Sequence, residues 1–189
     1  MAPLDKITEI AQHFAGLSTK PGDVVIDATA GNGLDTFFLA KKVGKGGKVY
    51  SFDIQKEALQ KTRDRLSNAG LNQRVELIHT GHEDMATYVT EKVSVVMYNL
   101  GYLPGGNKEI TTKSYTSIRS LEQALNLLKN SGLVTIVLYP GHEEGCLECK
   151  EIISYTANLA ANDYLVYHLQ VTNRPGNPPE LLLIKKTFS

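Results

Sequence analysis

The chain has 189 residues, 42% hydrophobic and 21% charged, with 20 basic residues balanced by 20 acidic ones for a formal net charge of zero. Those proportions belong to a folded soluble protein with one substantial core. They argue against disorder and against a global field that gathers nucleic acid, and no apolar run approaches a membrane span of roughly 20 residues. No Pro/Gly/Ser-rich linker divides the sequence, so residues 1–189 are expected to form a single domain, and the start Met1-Ala2-Pro3-Leu4-Asp5-Lys6 lacks a secretory layout, so a cytoplasmic location is expected.

Leu4, Ile7, Ile10, Ala11, Phe14 and Leu17 recur at helical spacing and predict an amphipathic first helix. Lys20-Pro21-Gly22-Asp23 turns into an apolar strand, Val24 to Asp27. A loop with two glycines follows, and then a helix from about Leu34 to Val43, stopped by Gly44-Lys45-Gly46-Gly47. The pattern repeats. A strand from Lys48 to Asp53 precedes a helix from about Lys56 to Ala69. A strand from Arg74 to His79 precedes a helix near Glu83 to Thr90. A strand from Val93 to Tyr98 precedes a helix from about Thr116 to Lys129, and Gly132 opens a fifth strand, Leu133 to Tyr139. Strands separated by helices predict a parallel sheet covered on both faces. The end breaks this rhythm: after a helix from about Glu144 to Ala161, the strands Tyr164 to Thr172 and Leu181 to Lys186 are joined without a helix and must be antiparallel.

The chemistry concentrates after the strands, where open α/β sheets bind ligands. Ala28 to Gly33 forms a strand–loop–helix cradle, in which Gly31 and Gly33 let a ligand approach the backbone and the following amides offer donors. It has neither the third glycine of a dinucleotide fingerprint nor the lysine of a phosphate loop. Asp27 would repel a pyrophosphate but accept a bond from an ammonium, so a cationic ligand is expected. Asp53 ends the next strand, where a carboxylate holds ribose hydroxyls. His82 can stack on or bond to a bound ligand, or be a core or surface histidine, while Glu83 and Asp84 can accept from a ligand amino group such as that of adenine or cap a helix.

Asn99, Gly101 and Tyr102 follow strand four, and Tyr139 and His142 follow strand five. Asn173 to Pro179, with Asn177 and Pro178, would fold over the same rim as a substrate wall. Tyr102 can stack on a flat substrate or pack, and His142 can accept a proton or be a plain loop residue. Cys146 and Cys149 form a C-x-x-C pair open to three readings: a redox pair, half a metal site, or two semi-buried thiols. Without a second Cys pair no metal is expected.

The pattern D-x-x-x-G-x-G followed by a strand-end acid resembles the S-adenosylmethionine site of the Rossmann-like methyltransferases, and a mostly parallel sheet of five strands finished by an antiparallel hairpin, with helices on both faces, is similar to their class I, seven-stranded fold. Asn99 to Pro104 resembles, in role, the Asn-Pro-Pro-aromatic motif of enzymes that methylate exocyclic or side-chain nitrogen. More specifically, Asp27-Ala28-Thr29-Ala30-Gly31-Asn32-Gly33 with Asp35-Thr36, Phe52-Asp53-Ile54-Gln55, Asn99-Leu100-Gly101-Tyr102-Leu103-Pro104, Gly141-His142 with Glu144-Gly145, and Asn177-Pro178-Pro179 look like the YtqB/MnmM-type rRNA methylase family across nearly the whole chain. Two positions depart from that family: Leu34 and Pro140 stand where histidines are common, so no role for those histidines carries over.

The resemblance implies an RNA N-methyltransferase using S-adenosylmethionine on the aminomethyl group of the tRNA wobble uridine. Asp27, Ala28, Gly31, Asn32, Gly33, Asp35, Thr36, Asp53, Ile54, Gln55, His82, Glu83, Asp84 and Asn99 would then bind the cofactor, with Asp27 and Asn32 at the methionine part, Asp53 and Gln55 at the ribose, and His82 to Asp84 on the adenine side. Asn99 would orient the amine, His142 take its proton, and Gly101, Tyr102, Tyr139, Asn173, Asn177 and Pro178 contact the substrate. An anticodon arm needs local phosphate contacts, for which Lys108, Lys113, Arg119 and Arg174 are candidates, and a homodimer would help so small a domain span it. Other substrates, rRNA or a small-molecule amine, stay open, as does a catalytically silent cofactor binder; the absent third glycine disfavours a dehydrogenase.

Overall fold

The computed structural model describes residues 6–101, 112–141 and 143–187. Seven strands form one sheet: β1 (Val24–Asp27), β2 (Lys48–Asp53), β3 (Val75–His79), β4 (Val93–Asn99), β5 (Leu128–Leu138), β6 (Tyr164–Leu169) and β7 (Glu180–Lys186). Their spatial order is 3-2-1-4-5-7-6. The first five strands are parallel, so their carboxyl ends share one edge of the sheet. β7 runs antiparallel to both neighbours, inserted between β5 and β6. The expected α/β architecture with a terminal hairpin is therefore present, and β6 rather than β7 forms the sheet edge.

The helices are α1 (Ile7–Ser18), α2 (Leu34–Val43), α3 (Lys56–Ser67), α4 (Met85–Tyr88), α5 (Ser114–Leu127) and α6 (Glu143–Ala157). Side chains alternate across each strand, so consecutive residues feed opposite layers. Val25, Val49, Val95 and Val137 pack with Ala11, Leu39 and Leu66 of α1 to α3 on one face. Ile26, Phe52, Val96 and Ile136 pack with Met85, Leu121 and Ile152 of α4 to α6 on the other. Each fully buried Val, Leu, Ile, Met or Phe among them stabilises the fold by about 1.5–3 kcal/mol, and Phe52→Ala, at 0% exposure, would cost roughly 3–5 kcal/mol.

Several element limits differ from the periodicity. The helix expected near Glu83 to Thr90 is a 3₁₀ turn, His82–Asp84, and the single turn of α4. Both Met85 and Val89 are buried and β4 begins at Val93, leaving no room for a longer helix. Gln123 of α5 serves as its cap, accepting from Ala86 N at 2.8 Å and donating to the Glu83 carbonyl. The helix expected to reach Lys129 ends at Leu127, because β5 begins at Leu128 and passes through an irregularity between the pairs Val93/Leu128 and Val95/Leu133. Ser131 there adopts φ 60°, a conformation that permits the extra residues without breaking the strand. Finally, α6 stops at Ala157 and β6 at Leu169, each shorter than the apolar pattern suggested.

Candidate active site

A cavity of about 930 Å3 lies beyond the carboxyl ends of β1 to β5. Its floor is set by the first βα turn. Asp27 is fully buried beneath this turn; it accepts from the Thr36 hydroxyl at 2.5 Å and from Thr29 N at 3.1 Å, while Thr36 shares a further bond with Ser51 at 2.8 Å. Burial first, and then the neighbouring Asp35 carboxylate, push Asp27 up to about 7. Asp35 lines the cavity, accepts from Gln12 Nε2 at 2.7 Å, and is also raised by burial. Two neighbouring acids, Asp35 on the wall and Asp27 below the floor, make this end of the cavity acidic, a cost that a bound cation would relieve. Gly33 adopts φ 76°, and a Cβ there would meet Thr62 Oγ1 at 2.8 Å, so its first duty is to let α3 close on the turn. Gly31, at φ 51°, faces the cavity.

On the β2–β3 side, Asp53 accepts from Gly31 N at 2.9 Å and from Gln55 N at 2.8 Å. These bonds fix both carboxylate oxygens while leaving lone pairs for hydroxyl donors, and burial still raises its pKa. Ile54 lines the cavity at 54% exposure, an apolar face beside a polar one. His82 is buried and pushed down to about 4 by that burial, so its ring is neutral; its Nδ1 has no hydrogen-bond partner among the described residues. Its ring meets Tyr98 edge to face, and Tyr98 OH bonds Ser120 Oγ at 2.8 Å. Ser120 Oγ lies 3.0 Å from the His82 carbonyl.

The opposite wall comes from β4, β5 and the loops beside them. Asn99 is held through its backbone N, which donates to Thr29 Oγ1 at 2.8 Å. Its Oδ1 is buried and has no partner among the described residues, although the residue lines the cavity. The Tyr139 hydroxyl nearby is pushed up by burial and then by the Asp35 carboxylate, an effect that the Asn99 side chain opposes. Gly141 and Asn177 close this wall: a Cβ at Gly141 would lie 3.8 Å from the Asn177 carbonyl. Asn177 itself adopts φ 49°, an αL conformation that asparagine tolerates.

The structure thus brings Ala28, Gly31, Asn32, Asp35, Asp53, Ile54 and Gln55 to one cavity with His82, Glu83, Asn99, Gly101, Tyr139 and Asn177. Asp27, Gly33 and Thr36 lie outside its wall, Asp27 and Thr36 buried below it. Asp84 points away to Arg119 at 3.3 Å, which also occupies that candidate phosphate ligand. Asn173 and Pro178 lie outside the lining, as does Arg174. Tyr102 and His142, with Leu103, Pro104 and Lys108, fall outside the described residues. Sequence reasoning missed Thr112, Tyr115 and Thr116, which line the cavity from the start of α5 with the candidate Lys113. An aromatic 69% exposed on an otherwise amphipathic helix was the available signal. Pro179, at the end of the expected substrate wall, lines the cavity, as do Glu144 of the quoted motif and Leu34, 58% exposed. Among the described residues no cluster of three metal-ligating side chains occurs, and no helix is long and apolar enough to cross a membrane.

The donor set fits S-adenosylmethionine. Paired acids suit its ammonium and sulfonium charges, the strand-end Asp53 suits ribose hydroxyls, and the orphaned Asn99 Oδ1 offers an acceptor at the far wall. Comparison with known proteins agrees. The family model described as "Putative rRNA methylase" matches residues 49–185. A chloroplastic tRNA (mnm(5)s(2)U34)-methyltransferase of Arabidopsis thaliana is 39% identical over 96% of this chain and 70% of its own length. A "putative rRNA-methylase" from Clostridium thermocellum superimposes with TM-score 0.95 at 36% identity, covering 97% of this chain and 99% of that one. A "putative methyltransferase" from Streptococcus mutans, solved in complex with SAH, gives TM-score 0.89 at 31% identity over 97% and 99%.

Proposed function

The chain belongs to the rRNA methylase family and is an S-adenosylmethionine-dependent methyltransferase, and from that premise we propose that it methylates the aminomethyl nitrogen on the wobble uridine of tRNA. The observation that carries the substrate reading is Asn99 Oδ1, a buried acceptor without a partner among the described residues, on a residue that lines the cavity. Leaving a buried carbonyl unpaired costs about 1–3 kcal/mol, a cost that an incoming N–H donor removes. A primary amine can give one hydrogen to Asn99 and keep its lone pair free for attack.

S-adenosylmethionine, when bound, supplies an electrophilic methyl group. The rest is placement by this chain. Asp35 and the acid below it favour the cationic end of that ligand, Asp53 and Gln55 hold hydroxyls, and neutral His82 lines the same wall without adding charge. Asn99 fixes the direction of the attacking nitrogen. Orientation of this kind can supply roughly 7–11 kcal/mol of the barrier. On sequence grounds His142 takes the departing proton and Tyr102 stacks on the base. Lys113, exposed and lining the cavity, is suited to a nearby phosphate. In this reading one domain works in the cytoplasm on the anticodon arm, and a pair of copies would lengthen the surface offered to it.

The test is incubation with radiolabelled S-adenosylmethionine and tRNA lacking the final wobble methyl group, followed by nucleoside analysis. Label in methylaminomethyl-uridine that disappears with Asn99→Ala supports the assignment. Cofactor binding without any labelled tRNA overturns it and directs attention to rRNA or small amines.

A further inference from the structure

The cavity wall depends on a buried acid that does not line it. Glu148 sits on α6 at 5% exposure, beside the apolar Cys149 and Ile152. A carboxylate in such surroundings is costly unless its oxygens are occupied. Both are: the Thr112 hydroxyl donates to Oε2 at 2.8 Å, and the Ser117 hydroxyl donates to Oε1 at 2.7 Å. The Thr112 oxygen in turn accepts from Gly101 N at 3.0 Å, and Thr112 N donates to the Gly101 carbonyl at 3.2 Å. Gly101 and Thr112 are therefore joined by two bonds, and the acid orients the shared hydroxyl. A hydroxyl that donates to a carboxylate becomes a better acceptor for the next donor in the chain.

Asn99 is two residues upstream of this junction. Thr29 holds its backbone N, and Leu100 N donates to the Val137 carbonyl at 3.0 Å. Gly101 adopts φ 137°, and a Cβ there would meet the Tyr139 ring at 3.6 Å, the residue whose hydroxyl the Asn99 side chain influences. The turn after Asn99 is thus fixed from β1, from β5 and, through Thr112, from α6.

We propose that Glu148 is a positioning residue, clamping Gly101 through Thr112 so that Asn99 is held in the orientation that receives the substrate amine. The amine is part of the reading given above, on which this inference rests. The clamp itself does not depend on which substrate enters.

Three variants test it: Thr112→Val, which removes the bridging hydroxyl at nearly constant volume, Glu148→Leu, and the conservative Glu148→Gln. The expected result for the first two is a fall in kcat of about 10- to 100-fold, the scale of a displacement near 1 Å. The dissociation constant for S-adenosylhomocysteine should stay within about twofold of wild type, since Asp35, Asp53, Gln55 and His82 all lie on elements that the Glu148–Thr112–Gly101 bonds do not touch. Amide hydrogen exchange at residues 99–101 should accelerate in both while β1 and β2 stay protected. Glu148→Gln should recover most of kcat, because its carbonyl can accept from Thr112 and its amide can donate to Ser117. If Glu148→Leu does not fold, Thr112→Val carries the test. Unchanged kcat and unchanged exchange in Thr112→Val overturn the proposal, as does a loss seen only as weaker S-adenosylhomocysteine binding. Should wild-type protein methylate no tRNA, the wobble-uridine reading fails by itself, and the exchange measurement still decides the clamp.

Discussion

Asn99→Ala separates an acceptor kept for function from one kept for folding. The substitution deletes a buried carbonyl oxygen that has no partner among the described residues, which recovers about 1–3 kcal/mol of unmet hydrogen bonding. It also removes the rest of the side-chain amide beside Tyr139 and leaves a small void, which together cost about 1 kcal/mol. These terms nearly cancel, so the unfolding midpoint should move by no more than about 2–4 °C, the shift expected from roughly 1 kcal/mol in a chain of this size. Activity should behave differently. Without the acceptor the amine loses its fixed direction, and a misplacement near 1 Å costs on the order of 100-fold, or roughly 2.7 kcal/mol of barrier. Thermal unfolding and single-turnover methylation of undermodified tRNA measure the two quantities on one preparation. A variant that retains more than a tenth of wild-type kcat would refute the orienting role. So would a midpoint more than about 8 °C lower, which would make Asn99 a structural residue.

Gly33→Ala and Gly22→Ala both place a side chain at positive φ, but only at Gly33 does the new Cβ meet backbone, 2.9 Å from Thr62 Cα; at Gly22 nothing lies within 4 Å. Gly22→Ala should cost about 1–2 kcal/mol, and Gly33→Ala a further 1–3 kcal/mol or so from overpacking; equal denaturant midpoints for the two would remove the steric argument. Asp27 titrates higher in the folded chain than in the unfolded one, so between about pH 4 and about pH 7 the native state binds more protons and stability falls as pH rises. The ligand-free protein should therefore unfold at higher temperature at pH 5 than at pH 7.5, and Asp27→Asn should flatten that slope; a slope unchanged in the variant would locate the titration elsewhere. Burial, and then the Glu180 carboxylate, push the Cys149 thiol up to about 12, while Cys146 is only partly buried. An alkylating reagent at neutral pH should label Cys146 well before Cys149, and mass spectrometry of partly labelled protein would show the reverse order if this account fails.

The fold was legible in the sequence wherever one element decided its own form. β1, its Gly turn and α2 read directly, since a β-branched run, two glycines and an amphipathic stretch leave few alternatives, and Asp53 could be placed by the end of its strand. The helix-free connection after Leu169 required an antiparallel partner. It did not say which strand β7 joins, because local sequence does not encode that choice: Leu181 to Ile184 are apolar enough for either side, and only closure of the sheet seats them beside β5. Asp27 shows a second limit. A strand-end acid reads as a ligand contact, yet Thr29, nearby, and Thr36, nine residues on, both donate to it, turning the side chain under the floor. Tyr115 and Thr112 escaped notice for a related reason. Their position at the cavity depends on where α5 docks, and that docking is set by contacts such as Gln123 with the 82–88 turn, far apart in sequence.

The insertion of β7 also orders events at the ribosome. β5 and β6 emerge before the strand that lies between them, so a nascent chain displays two unpaired edges until Glu180 to Lys186 arrive. Asn177 and Pro179, part of the cavity wall, arrive just ahead of β7 and are positioned by it. The five parallel strands can be in place while the binding pocket is still open along one side. Competence to bind should therefore appear late and abruptly during synthesis, and the growing chain passes most of its vectorial folding as an incomplete sheet whose exposed edges are open to chaperones or to one another.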